Sequence, residues 1–132
     1  MTADALLSRI ADELRPLTSG LGVEVVIVVP AGGEAHGAPM VVAIGSVSAV
    51  AVGVADVLRP VLASGAPQLV LVHNHPDGRT ASPADHAFTR RLVASCAVLG
   101  LGLRGHLVLL PGGWVDCLGA TGLVPYAASR AA

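Results

Sequence analysis

His73 and His75 lie one residue apart in the run His73-Asn74-His75-Pro76, and Asp85 follows after a polar stretch. On an extended segment, side chains two apart project to the same side. Both imidazoles can therefore reach one ion. Asp85 falls three residues into the next expected helix, from where a carboxylate oxygen can return to that ion. Two histidines and one carboxylate, with a fourth position left open, make a catalytic zinc arrangement rather than a structural one. Zinc held this way lowers the pKa of its water toward about 7 and supplies hydroxide at neutral pH. Such chemistry also needs a general base. Glu24 interrupts the apolar run Val23-Glu24-Val25-Val26-Ile27-Val28-Val29, where a carboxylate is costly unless it has a partner or a task. Ser82 can offer its hydroxyl to the oxyanion that forms when an amide carbonyl is attacked.

Each of these residues also has a plainer reading. Ser82-Pro83-Ala84-Asp85 is a capping box, with Ser at N-cap, Pro at N1 and an acid at N3. The two readings coexist, since an acid at N3 sits where the helix start is anchored. A His-x-His pair alone is often a surface or turn pair, and a single Glu in a strand can be a solvated edge charge. His36 reads as a loop residue, His86 and His106 as packed or solvated histidines, and Asp77-Gly78 as a turn. Trp114 reads as core or sheet edge. The joint occurrence of Glu24, His73, His75, Ser82 and Asp85 favours a metal site.

Taken in that order, these residues resemble the JAMM metallopeptidases, the MPN+ family, which carry a strand Glu, then His-x-His-Pro, then Ser-x-x-Asp. The likeness is closer to the RadC-like branch. Val57-Leu58-Arg59-Pro60, Gly78, Thr89 to Leu92, Leu99-Gly100 and Gly105-His106 add to it, and it covers about residues 23–118. It implies that His73, His75 and Asp85 bind Zn2+, that Glu24 is the base and that Ser82 stabilises the oxyanion, and it places His106 near the site without making it a ligand. It also implies an α/β fold, the JAB/MPN (cytidine-deaminase-like) sandwich, with a mixed β-sheet flanked by about three helices. The implied activity is that of a metallopeptidase or isopeptidase cleaving an amide bond, with a peptide or ubiquitin-like protein as substrate. The alternative is a non-catalytic JAB-domain scaffold, since many relatives have lost the metal residues. Two departures stand out. Nine residues separate His75 from Asp85, one fewer than in the usual motif. The helix-hairpin-helix region common ahead of this domain has no counterpart here beyond one short helix, so no DNA association is carried over.

The elements that must position these groups follow from composition and pattern. A chain of 132 residues suits a single domain, 1–132. With 53% hydrophobic and 13% charged residues, disorder is excluded. Only 2% are aromatic, so Val, Leu, Ala and Ile must build the core. A net charge of -1, with no basic cluster beyond Arg90-Arg91, argues against a nucleic-acid partner. So few charges point to a homo-oligomer. Cys96 and Cys117 match no zinc-ligand spacing and read as buried thiols of a reducing, cytoplasmic compartment. The N-terminus has no basic region followed by an apolar stretch, so no secretory signal is read there. Residues 35–55 carry no charge, but their Gly, Pro, Ser and His content reads as two strands and a turn rather than a membrane span.

The periodicity predicts helices over 3–15, 54–64 and from 82 to 99, with Gly100 as C-cap. Strands are expected over 23–29, 40–44, 47–52, 68–72, 103–110 and 114–118. Gly32-Gly33 is read as a turn, Pro60 as an early helix position, and 123–132 as a loose tail. This order of elements gives an α/β sandwich built round one mixed sheet.

Overall fold

A computed structural model describes residues 4–45, 52–119 and 122–127. In chain order the elements are α1 (Ala5–Thr18), β1 (Glu24–Gly32), β2 (Ala35–His36), β3 (Met40–Gly45), α2 (Val54–Ser64), β4 (Gln68–Asn74), α3 (Pro83–Leu99), β5 (Gly102–Leu110), β6 (Gly113–Asp116) and β7 (Val124–Pro125). The strands form one mixed sheet, ordered β2-β1-β4-β5-β6-β7, with β3 also on β1. β4 and β5 run parallel, joined through α3, and the other pairings are antiparallel. The expected α/β class and mixed sheet with three helices are what the structure shows.

β1 lacks an alternating pattern because both its faces are covered. Val25, Ile27, Val29 and Ala31 pack under α1, while Val26 and Val28 face α2 and α3. β4 divides the same way, with Val70 and Val72 toward α1 and Leu69 and Leu71 toward the other two helices. α1 lays Leu6, Leu7, Ile10, Ala11 and Leu14 on the sheet, an i, i+3, i+4 stripe. Gly105 lets it approach, since a Cβ there would lie 2.9 Å from Leu7 Cδ2.

The observed elements depart from the sequence reading in a few places. α1 continues past Pro16 to Thr18, where the hydroxyl of Thr18 donates to the Leu14 carbonyl at 3.2 Å and Ser19 N–H to the Arg15 carbonyl at 2.8 Å. These bonds close a last turn three residues beyond the expected end at residue 15. Pro60 is inside α2 rather than early in it, so the helix forgoes the bond to the carbonyl of exposed Asp56. The β1–β2 turn is Gly33-Glu34. Gly33, at φ 61°, supplies the positive φ that a two-residue hairpin turn needs. His36 belongs to β2 instead of a loop, and its Nε2 lies 2.7 Å from Glu13 Oε2. β6 ends at Asp116, whose carboxylate accepts the N–H of Leu118 at 3.0 Å and breaks the ladder. Within the expected tail, Val124 and Pro125 pair with β6, and the Tyr126 hydroxyl donates to the Leu110 carbonyl at 2.8 Å. The strand expected over 47–52 lies outside the described residues except for Val52, which is not in a strand. No helix among the described residues is long and apolar enough to cross a membrane. Cys96 and Cys117 are free thiols. Burial pushes both up, Cys117 to about 12 with added repulsion from Asp85 and Asp116.

Candidate metal centre

β4 carries the site at its carboxyl end, where ligands gather in sheets of this kind. The stripe Leu69, Leu71 continues into His73, so His73 faces α3. Val26 on β1 pairs with His73, which puts Glu24, two residues on, level with His75. The chain then turns at Pro76-Asp77, with Gly78 N–H donating to the His75 carbonyl at 3.0 Å, and enters α3 at Ser82. The shortened connection is long enough: Asp85, at the third position of α3, returns to both histidines.

The ligand atoms of His73, His75 and Asp85 all lie within 4.8 Å of one another, and all three residues are buried. His73 Nε2 is 3.1 Å from His75 Nε2 and 3.3 Å from Asp85 Oδ1, and His75 Nε2 is 3.6 Å from Asp85 Oδ2. Glu24 Oε1 stands 3.5 Å from His75 Nε2. The 3.3 and 3.6 Å contacts fall on different oxygens of Asp85, and the three residues together could hold one metal ion. His75 Nδ1 lies 2.7 Å from the Arg79 carbonyl. A carbonyl only accepts, so that nitrogen holds the proton and Nε2 presents its lone pair to the cluster. Two imidazole nitrogens and a carboxylate are a donor set whose chemistry suits zinc.

Ser82 caps α3. Its hydroxyl oxygen accepts the Asp85 N–H at 3.1 Å, and its own N–H donates to Asp85 Oδ2 at 2.8 Å. This is the reciprocal capping box, and it fixes the carboxylate that faces the histidines. Burial raises the Asp85 carboxyl, but the proximity of His73 and the Ser82 N–H outweigh it and hold it well below the usual carboxylate range. Asp85 is thus a carboxylate at neutral pH.

Three further residues complete the cluster, and none was given a site role from the sequence. Asn74 accepts the Val25 N–H at 2.7 Å and donates to the Val23 carbonyl at 3.1 Å. It clips the backbone on both sides of Glu24. His106, read as an ordinary packed or solvated histidine, is buried with Nε2 3.0 Å from His73 Nδ1. Its Nδ1 lies 2.6 Å from Thr89 Oγ1, and Thr89 donates to the Asp85 carbonyl at 2.8 Å. Burial pushes His106 down to about 3, so it stays neutral. The only sequence signal for these residues was their place in the family pattern. An unpartnered buried polar group costs on the order of 1–3 kcal/mol, and no buried side-chain nitrogen or oxygen among the described residues lacks a partner. His86 is exposed and lies outside this network. Beside His73 and Asp85 opens a cavity of about 140 Å³ with apolar walls from Val26, Val52, Leu71 and Phe88.

A curled mixed sheet with three helices, bearing this cluster at the end of a central strand, is the architecture of a JAB/MPN domain. The model of the RadC-like JAB domain matches residues 8–117, and the chain belongs to that family. It is similar to a UPF0758 protein of Alcanivorax borkumensis, 40% identical over 73 residues, which is 54% of this chain and 33% of that protein. A UPF0758 protein of Acaryochloris marina is 34% identical over 84 residues, 63% of this chain and 35% of the relative. The chain covers about a third of the length of these curated relatives.

Proposed function

We propose that this domain is a zinc-dependent metallopeptidase or isopeptidase, acting on an amide bond in a peptide or a ubiquitin-like tail in the cytoplasm. The observation that carries this reading is the convergence of two imidazole nitrogens and a carboxylate oxygen within 4.8 Å of one another, with a second carboxylate, Glu24, beside them. Zinc bound there would supply Lewis acidity, activating water near neutral pH and polarising the substrate carbonyl. His73, His75 and Asp85 would hold it.

Glu24 is buried at the start of β1, clipped by Asn74 and next to His75. From there its carboxylate takes a proton from the attacking water and passes it to the leaving amine. The Ser82 hydroxyl oxygen is used in capping α3, but its hydrogen remains available to the oxyanion. The apolar cavity beside His73 and Asp85 suits a small aliphatic side chain next to the scissile bond.

The test is the zinc content of the purified protein by elemental analysis. About one zinc per chain is expected, and His75→Ala should abolish it. Unchanged metal in His75→Ala would place the ion elsewhere. No metal after incubation with zinc would replace this reading with the non-catalytic scaffold.

A further inference from the structure

The hydrogen bonds round His106 form a chain whose direction can be worked out from one end. Thr89 Oγ1 lies 2.8 Å from the Asp85 carbonyl oxygen. Two oxygens that close need a proton between them, and the carbonyl has none, so the hydroxyl of Thr89 donates. With that hydrogen committed, the 2.6 Å contact between Thr89 Oγ1 and His106 Nδ1 must be a bond from the ring N–H to the hydroxyl oxygen. A neutral imidazole has one N–H, so Nε2 of His106 is an acceptor. The 3.0 Å contact between His106 Nε2 and His73 Nδ1 then takes its proton from His73. With Nδ1 committed to His106, the ring atom of His73 left to serve as a ligand is Nε2, which faces His75 and Asp85.

We propose that His106 and Thr89 are positioning residues that lock His73 as its Nδ1–H tautomer, so that Nε2 is preset as a metal ligand. The chain begins on the carbonyl of Asp85 and ends on His73, so it ties the ligand from α3 to the ligand from β4. His73 leans on His106, as His75 leans on the Arg79 carbonyl at 2.7 Å. The difference is that a carbonyl can only accept, whereas His106 can accept or donate. Thr89 decides which. Without its hydroxyl, His106 is free to turn its proton to Nε2 and donate to His73 Nδ1. His73 would then carry its proton on Nε2, where a metal must bind. Partners of this kind are typically worth 10–100-fold in metal affinity.

This inference rests on the metal-site reading only for its purpose, because the tautomer itself is measurable without metal. The experiment records side-chain 15N shifts and couplings of His73 by NMR in the metal-free full chain. The pH is about 8, above the ordinary histidine range near 6.5. Zinc affinity is measured separately by competition with a chelator. The wild type should show His73 protonated on Nδ1. Thr89→Val, close to isosteric, should move the proton to Nε2 and weaken zinc binding about 10–100-fold. Thr89→Ser, which restores the hydroxyl, should recover both. His106→Gln keeps an acceptor for His73 and a donor for Thr89, so it should preserve the Nδ1–H form and carries the test if Thr89→Val does not fold. An unchanged His73 tautomer in folded Thr89→Val overturns the proposal. So does failure of Thr89→Ser to rescue, or an Nε2–H His73 in folded His106→Gln. If the tautomers behave as described but the wild type binds no zinc, the relay stands and the metal reading fails.

Discussion

The two faces of the sheet bury side chains of different kinds. Under α1 the cluster is apolar throughout, from Leu6 and Ile10 on the helix to Val70, Leu107 and Trp114 on the strands. Under α2 and α3 a smaller apolar cluster ends toward the carboxyl end of β4. Glu24, His73, Asp85, Thr89 and His106 take over there, all buried. The first face gains free energy from every side chain it hides, roughly 1.5–3 kcal/mol for each large aliphatic one. The second must offset the desolvation of each polar group with a hydrogen bond, and at best comes out slightly ahead. One face therefore makes the sheet stable, and the other uses that rigid sheet to hold a buried polar cluster. Their substitutions should fall into two classes, separable by measuring stability and activity together.

Glu24→Gln should break the second face with the largest effect. The amide keeps the shape and part of the hydrogen bonding but cannot accept the proton. Turnover of a peptide or isopeptide substrate should fall about 10²–10⁴-fold, or about 3–5 kcal/mol in the barrier. Zinc content should stay the same, and urea unfolding should shift little. Retained turnover would remove Glu24 as the base. Trp114→Ala is the counterpart on the first face. Trp114 is fully packed, so the truncation should cost about 3–5 kcal/mol in urea unfolding. Zinc per folded chain should not change. A loss of zinc affinity in the folded variant would show that the two faces are coupled, contrary to this division.

The same division explains what the sequence revealed. The cluster of His73, His75 and Asp85 was legible because each residue depends on local geometry: a spacing of two on a strand and the third position of a helix. The α1 stripe and the doubly buried β1 were legible for the same reason. The contacts that join His106 to Thr89 and His73, and Asn74 to β1, were not, because these partners are 17 to 51 residues apart in sequence and meet only in the folded chain. Nothing local distinguishes a histidine that orients a ligand from one that fills a core. Pro60 was misjudged because a proline inside a helix loses one bond, which the exposed carbonyl can make to water instead. The two-residue β7 carries too few side chains to show a period.

The smallest predicted effects come from comparing two helix caps, one on each face. Asp4 caps α1, accepting the Leu6 N–H at 2.9 Å, and it pairs with Arg104 Nε at 3.0 Å. Ser82 caps α3 by accepting the Asp85 N–H at 3.1 Å. Removing either side chain should cost about 1 kcal/mol of stability; the exposed part of the Asp4–Arg104 pair adds little. Asp4→Ala should do nothing else, because the bonds of its side chain go to Leu6 and Arg104, neither of which belongs to the cluster. Ser82→Ala should also slow turnover, by about 10²–10³-fold if its hydroxyl meets the oxyanion. Thermal unfolding of both variants, with kcat measured well below either midpoint, separates the two contributions. If Ser82→Ala loses stability like Asp4→Ala and keeps its kcat, Ser82 is a cap alone. The oxyanion would then be held by the metal ion and the backbone around it, and the reactive face would contain one fewer working side chain.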